Sequence, residues 1–283
     1  MSTWVWTDGA VTAASEARIG ATDRGLLLGD GVYEACKVVD GAPFALTRHL
    51  ARLRRSAEII GITLPWSDSH IRAACAKAVG ATLIDPAGDG TVGRLRITVT
   101  GGSGPLGPDR GNRLPTLIVA AGPTKPWGPT TDVVSADWPL NHQRPSAGAK
   151  TISYLDNLLA LVEAQRRGAD EAIQVNTAGA LSEGTGSNVF LVADGSLCTP
   201  SLATGCLPGV TRALVCEAVE VVERNDLTLA DLRSAPEAFL TSSTRDVHPI
   251  AHVDGRLLGA VPGPRTAAAA EAFAAIAART IDP

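Results

Sequence analysis

Aromatic side chains are scarce in this chain, at 4% of 283 residues, and charged side chains reach only 19%. A charged share below the usual quarter or so, against 45% hydrophobic residues, excludes a disordered chain and predicts a core-rich globular one. A basic excess is missing too. Lys and Arg number 25 and Asp and Glu 29, so the footprint of a general nucleic-acid binder is absent. No apolar run approaches the roughly 18 residues of a membrane span. The start, Met1-Ser-Thr-Trp-Val-Trp6, lacks the basic residues and apolar stretch of a secretory leader. Neither a nucleic-acid nor a membrane partner is expected, and the location is expected to be cytoplasmic. Cysteine is sparse, odd in number and scattered (Cys36, Cys75, Cys198, Cys206, Cys216), with no C-x-x-C. That spacing argues against a disulfide framework or a structural zinc site, and no metal is expected. Reduced, small core residues are the plain reading.

The length suits one large or two modest domains. Leu46, Leu50, Leu53, Ala57 and Ile60 fall at steps of four and three, which predicts a helix over 47–60 with His49, Arg52 and Arg55 off the apolar stripe. A second helix is expected over 67–79, with Ser67 or Asp68 as N-cap. Residues 93–100 alternate, with Leu95, Ile97 and Val99 on one face and Arg96, Thr98 and Thr100 on the other, so they read as a half-buried strand. The glycine-rich run 101–111 reads as a loop, and 117–121 as a short buried strand. Three prolines in the eight residues 122–129 make the best linker, dividing a domain over 1–121 from one over 130–283.

In the second half, strands are expected near 132–135 and over 172–175, 180–183, 188–192 and 238–242, with helices over 155–167 and 211–222. Asp194-Gly195 and Asp254-Gly255 are hairpin signals, and Pro264 opens a last Ala-rich helix. Strands and helices mix without regular alternation, so the fold class is α+β.

Two glycine-rich stretches invite a nucleotide reading, and both fail it. Gly184-Thr-Gly186 leads into the strand-like Asn188-Val-Phe-Leu-Val192, and the 101–111 loop has no G-K-[ST]. Leu207-Pro-Gly-Val-Thr-Arg212 runs into a helix, whose N-terminus offers unpaired N–H groups and a positive dipole end to a phosphate. On its own it is equally an ordinary helix start. Taken singly, Lys150 reads as a surface charge, Glu183 as a strand-end carboxylate and Arg52 as part of a solvated helix face.

These residues do not stand singly. Glu183-Gly-Thr-Gly-Ser-Asn188-Val-Phe190, then Leu197-Cys-Thr199, then Leu207-Pro-Gly209-Val-Thr211-Arg212 form a spaced set over thirty residues. The set resembles the signature of the class IV aminotransferases, pyridoxal-phosphate enzymes of fold type IV. Asp23-Arg-Gly, Gly29-Asp-Gly-Val-Tyr33-Glu-Ala-Cys-Lys37, His49-Leu-Ala-Arg52-Leu, the segment around Lys150 to Asn157, and Thr241-Ser-Ser243 through Pro249 extend the likeness over nearly the whole chain.

The resemblance implies a smaller N-terminal α/β domain, a larger cofactor-binding C-terminal domain and a homodimer. It assigns Lys150 to the catalytic lysine, which holds pyridoxal 5'-phosphate as a Schiff base and then moves the Cα proton. Glu183 would pair with the pyridine nitrogen and keep it protonated. Arg52 would bind the phosphate as a guanidinium fork, with the Val210 and Thr211 amides and Ser243 completing the cup. Tyr154 would meet the ring hydroxyl. Asn188, Phe190 and His248 are read as structural.

Three subgroups compete. Tyr33-Glu-Ala-Cys-Lys37 resembles the D-amino-acid transaminases, and even spacing puts Tyr33, Ala35 and Lys37 on one strand face, where Tyr33 and Lys37 would hold a substrate carboxylate. That subgroup carries an Arg-x-His carboxylate clamp after the 93–100 strand, and Gly104-Pro-Leu-Gly-Pro108 has neither residue. Arg110 and Arg245 are the candidate replacements. The 101–111 loop also resembles chains labelled aminodeoxychorismate lyase, which would release pyruvate and 4-aminobenzoate. Branched-chain transaminase is the remaining alternative. In either transaminase reading the small-molecule partners are an amino donor and a 2-keto acid.

Overall fold

The alternation through residues 93–100 sets the first half of the molecule. A computed structural model describes residues 3–82, 93–111 and 113–283, and its chain divides into two compact units. The first unit holds residues 1–126, 149–154 and 280–283, and the second holds 127–148 and 155–279.

In the first unit the elements are β1 (Trp4–Thr7), β2 (Ala10–Ala13), α1 (Arg24–Leu28), β3 (Gly31–Val39), β4 (Ala42–Pro43), α2 (Leu46–Ile59), α3 (Asp68–Ala81), β5 (Gly93–Thr100) and β6 (Thr116–Pro123). The six strands form one sheet in the order β2-β1-β6-β5-β3-β4. Its β3–β5 and β5–β6 pairings are antiparallel and unbroken over eight positions each. One face carries Val32, Cys36, Val38, Leu95, Ile97, Val99, Val119 and Ala121 into a core shared with α2 and α3. The expected stripe Leu46, Leu50, Leu53 and Ala57 supplies the helix side of that core. Each fully buried leucine there contributes about 2 kcal/mol of transfer free energy. Ser67 caps α3 by accepting from the His70 N–H, which is the expected cap geometry.

Two features differ from the sequence reading. The expected linker 122–129 begins inside β6, and the change of unit falls between Pro126 and Trp127. The chain also returns to the first unit twice, because residues 149–154 pair with β3 and residues 280–283 lie on the start of α2. There Asp282 accepts from the Thr47 N–H at 2.8 Å and its hydroxyl at 2.6 Å. A carboxylate is favourable at that positive helix end, and α2 has no cap from its own N-cap residue. Pairings this distant in sequence leave no local signal.

The second unit holds β7 (Thr131–Ser135), α4 (Leu155–Arg166), β8 (Glu171–Val175), β9 (Leu181–Gly184), β10 (Asn188–Ala193), β11 (Ser196–Pro200), α5 (Val210–Ala218), β12 (Val222–Arg224), α6 (Leu229–Ser234), β13 (Ala238–Ser242), β14 (Asp246–Val253), β15 (Arg256–Leu257) and α7 (Pro264–Arg279). The sheet runs β12-β11-β10-β13-β14-β7-β8-β9 and closes on itself through a β9–β10 pairing, Glu183 opposite Asn188. Phe190 and Phe239 stack in its core, centroids 4.7 Å apart. The predicted hairpins are formed, with Asp194 and Asp254 at φ near 50° and glycine following each. The predicted helix over 211–222 stops at Ala218. Val219 is extended, and Val222 pairs with Cys198 in a parallel strand. The valines at 219, 221 and 222 are stiff at χ1 and suit a strand better than a helix.

Candidate active site

Lys150 is held by its backbone on both sides. Its carbonyl accepts from the Tyr33 N–H at 2.9 Å, and two residues on Ile152 N–H donates to Gly31 O at 3.0 Å. The segment thus extends the edge of β3, with Thr151 opposite Val32. Gly31 permits this approach, since a Cβ there would collide with Val99 O and the Ile152 side chain. The Lys150 N–H donates to Ser56 Oγ of α2 at 3.0 Å. Its amine lies 4.5 Å from the centroid of the Tyr33 ring, and the Tyr154 ring meets Tyr33 edge to face. Tyr33, Tyr154 and Lys150 therefore come together, and Lys37 follows on the same face of β3.

Glu34 is a carboxylate in an apolar register, between Val32 and Cys36, and is fully buried. Arg52 grips it with both arms of a fork, Nε to Oε1 at 2.8 Å and Nη2 to Oε2 at 2.7 Å. His49 Nδ1 stands 2.7 Å from Oε2. Burial alone would raise the Glu34 pKa, and the Arg52 charge and the two partners' hydrogen bonds outweigh it, holding the carboxyl at about 2. Burial lowers the His49 pKa despite Glu34 beside it. A neutral His49 facing an ionised carboxylate donates from Nδ1. His49 and Arg52, off the apolar stripe as expected, are not solvated. With Ser56 they form a second, polar ridge at spacings of three and four along α2, buried against Glu34 and the Lys150 backbone. Arg52 is thus a cation of fixed position.

In the second unit Glu183 and Asn188 hold one turn. Leu207 N–H donates to Glu183 Oε2 at 2.8 Å, and Asn188 Nδ2 donates to Leu207 O at 2.9 Å. That turn delivers Gly209, where a Cβ would collide with Asn188 Oδ1, and α5 starts at the next residue. The N-cap residue of α5, Gly209, offers no side-chain cap to the first turn, where Val210 and Thr211 sit. Thr241, opposite Asn188 on β13, has a buried hydroxyl with no partner among the described residues, and Ser243 follows two positions on. Asn188 and Phe190 serve the structure, as expected. Arg212 does too, donating to Pro200 O at 2.9 Å and pairing with Glu223 at 2.7 Å. His248 is buried, with Nε2 2.9 Å from Gly128 O.

Both candidates for the missing clamp are already paired with a carboxylate, though Arg245 keeps a buried Nη1 with no partner among the described residues. Arg110 is bound to Asp30 by Nε at 3.0 Å and Nη2 at 2.5 Å, and donates to Ile60 O and Gly61 O. Arg245 lies 2.6 Å from Glu171 and stacks 3.8 Å over Trp127. Sequence reasoning missed Glu34, Ser56 and Glu171. Glu171 is buried and accepts from the Gly186 N–H at 2.8 Å and the Ser187 hydroxyl at 2.7 Å, so it fixes the Gly184–Asn188 run. Glu34 carried a signal, an acid in the buried register of a strand. Glu171 sits at the first residue of a strand and carried none.

Comparison with known proteins places the chain among aminotransferases. The profile of the family described as Amino-transferase class IV matches residues 31–253. A putative branched-chain-amino-acid aminotransferase of Methanocaldococcus jannaschii is 33% identical over 90% of this chain and 89% of its own. A D-alanine aminotransferase of Bacillus licheniformis is 32% identical over 92% of both chains. Among solved structures, a branched-chain aminotransferase of Thermoproteus uzoniensis with norvaline superposes with a TM-score of 0.85 at 30% identity, covering 98% of this chain and 95% of that one. A hypothetical aminotransferase of Mycobacterium tuberculosis in its PLP-bound form gives 0.82 at 27% identity, covering 96% and 98%.

Proposed function

The chain belongs to the class IV aminotransferases, pyridoxal-phosphate enzymes of fold type IV acting on amino and keto acids, and from that premise we propose that it transfers the amino group of a D-amino acid to a 2-keto acid. The observation that carries the reading is the Lys150 amine on the Tyr33 ring, beside a strand face that continues to Lys37. The residues present fit the cofactor. Lys150 offers an amine that pairs with no carboxylate among the described residues. The first turn of α5 has no side-chain cap from its N-cap residue, and Thr241 has a buried hydroxyl with no partner among the described residues.

In this reading Lys150 holds the cofactor and Glu183 faces its ring nitrogen. Arg52, the Val210 and Thr211 amides and Ser243 take the phosphate, and Tyr154 the ring hydroxyl. Bound there, the cofactor supplies an electron sink for the substrate's Cα carbanion. The Lys150 amine moves the proton at Cα, and its tethered backbone fixes where that side chain leaves the fold. Glu183 keeps its negative charge toward the ring while its other duty, accepting from Leu207, fixes its direction. The division into an N-terminal domain and a cofactor-binding domain is part of this reading. So is a homodimer, which the neighbouring exposed Leu26, Leu27 and Leu28 support. So is a cytoplasmic location, for which five unpaired cysteines speak. Among the described residues no helix is long and apolar enough to cross a membrane.

The branched-chain reading stays beside it because a branched-chain relative matches as well as a D-alanine one. The test is the absorbance of cofactor-loaded protein before and after D-alanine, without a keto acid. Conversion to the amine form of the cofactor is expected with D-alanine and not with L-alanine or L-leucine. Conversion by L-leucine alone would establish the branched-chain reading. No conversion, with 4-aminobenzoate released from aminodeoxychorismate, would establish the lyase. Borohydride reduction followed by peptide mapping is expected to fix the cofactor to Lys150.

A further inference from the structure

We propose that Arg96 captures the substrate's carboxylate, filling the role of the missing Arg-x-His clamp, since Arg110 and Arg245 are each already paired with a carboxylate of the protein. The inference rests on the transaminase reading and names the substrate class for that site: acids with a carboxylate on the reacting carbon, in preference to plain amines.

The argument begins with register. Val32, Cys36, Leu95, Ile97, Val119 and Ala121 face the core of the first unit, so their neighbours in sequence face the other way. That second face carries Tyr33, Ala35 and Lys37 from β3, Arg94, Arg96 and Thr98 from β5, and Ile118, Ala120 and Gly122 from β6. None of these is acidic, and Glu34 points into the opposite layer. With Lys150 joining at Tyr33, four cations meet one apolar and neutral surface. Such a surface favours an anion.

Within the set Arg96 is singled out by position. Its guanidinium carbon lies 3.8 Å from the centroid of the Tyr33 ring, the same ring that the Lys150 amine approaches at 4.5 Å. Lys150 moves a proton at Cα, and a substrate carboxylate hangs from that same carbon. The group that binds the carboxylate must therefore stand close to the Lys150 amine. Arg94 is one step farther along the strand, opposite Lys37 and Gly122.

Arg96 is also open to bind. Its residue is exposed, its Nε donates to Thr98 Oγ1 at 3.2 Å, and no carboxylate among the described residues pairs with it. Stacking engages the face of a guanidinium and leaves its in-plane N–H groups for a two-pronged bond to a carboxylate. The cross-strand neighbours on either side are Ala35 and Ala120. Two such short side chains, about 5 Å away across the strands, crowd the Arg96 side chain little.

The test uses cofactor-loaded enzyme and its Arg96→Ala and Arg96→Lys variants. Propionate, alanine without its amino group, serves as the probe, its dissociation constant read from the change it causes in cofactor absorbance. The Arg96→Ala variant is expected to keep the absorbance of the loaded enzyme, weaken propionate at least about tenfold, and raise KM for the amino acid by a similar factor with a smaller change in kcat. The lysine variant is expected to recover part of the affinity. Propionate affinity and KM within about twofold of the unvaried enzyme would overturn the proposal. So would an Arg94→Ala variant that shows the whole loss while Arg96→Ala is silent. If the unvaried enzyme transfers no amino group between any amino and keto acid, the parent reading fails and takes this one with it. An active unvaried enzyme with a silent Arg96→Ala variant sinks the Arg96 assignment alone.

Discussion

Tyr33 and Tyr154, the chain's two tyrosines, meet edge to face with ring centroids 6.0 Å apart, and the Tyr33 ring also receives the Arg96 guanidinium and the Lys150 amine. The ring and not the hydroxyl makes these contacts. Tyr33→Phe is therefore expected to keep kcat/KM for the amino acid within about threefold, whereas Tyr33→Ala frees both cations and lowers it at least about thirtyfold. Steady-state kinetics on the pair decides this. Equal losses in both variants would show that the hydroxyl does the work.

Glu34 offers a stability prediction. Removing one partner of a buried ion pair strands the other's charge, so Glu34→Gln is expected to cost about 3 kcal/mol in denaturant unfolding. The pH dependence follows from the same group. Its pKa is depressed from 4.5 to about 2, so its stabilisation is complete above pH 4.5 and is lost as the pH falls through 2. Asp30, Asp254 and Asp282 are depressed as well, by partners that outweigh burial, and add to the same acid loss. The difference between unvaried protein and Glu34→Gln isolates the one carboxylate, and that difference should shrink between pH 4.5 and 2. A difference flat across that range would remove Glu34 from the account.

His49 acts at higher pH. Its pKa is depressed from 6.5 by burial, so the fold favours the neutral ring and loses stability as the pH drops below 6.5. His49→Asn keeps a side-chain N–H for Glu34 and cannot be protonated. Its stability is expected to fall less steeply than that of the unvaried protein from pH 6.5 downward. Parallel melting curves over that range would show that His49 does not titrate on unfolding.

Local patterns carried much of the fold. The strand at 93–100 has the bounds expected from its alternation, and the α2 stripe packs as its spacing predicts, because both signals are periodic and lie within one element. The site was legible where spacing survives in sequence, as in Glu183, Asn188 and Leu207, which prove to be bonded to one another. What stayed hidden depends on distant pairing. The Lys150 segment belongs to the edge of β3, over a hundred residues earlier, and the residues that position it are a serine on a helix and a strand backbone. The role of Arg96 was equally hidden, since alternation alone sets it on the face away from the core and only the register with β3 sets it over Tyr33.

Glu183 separates charge from structure. A glutamine can still accept from the Leu207 N–H, which Glu183 binds at 2.8 Å. Glu183→Gln is therefore expected to melt within about 2 °C of the unvaried protein, a cost of under about 0.5 kcal/mol for a chain of this size. It lacks the charge that keeps a ring nitrogen protonated, so kcat should fall at least about a hundredfold. A variant that unfolds as well as losing activity would make the carboxylate's contribution structural.

Gly209 tests whether the turn before α5 serves the cofactor phosphate. Its φ is ordinary for any residue, at −64°, so the glycine is needed for space and not for conformation. A methyl group would displace the Asn188 side chain, which would then release Leu207 O and let the start of the helix move. Gly209→Ala is expected to weaken pyridoxal phosphate at least about tenfold by dialysis and absorbance titration, with kcat at saturating cofactor falling less. Asn188→Ala removes the amide donor to Leu207 O but leaves room for a Cβ at 209, so its loss of cofactor affinity should be the smaller of the two. Combined with Gly209→Ala it relieves the collision, and the double variant should bind the cofactor better than the sum of the single losses implies. Strict additivity would mean that Gly209 and Asn188 act on the cofactor independently, against the single turn that joins them.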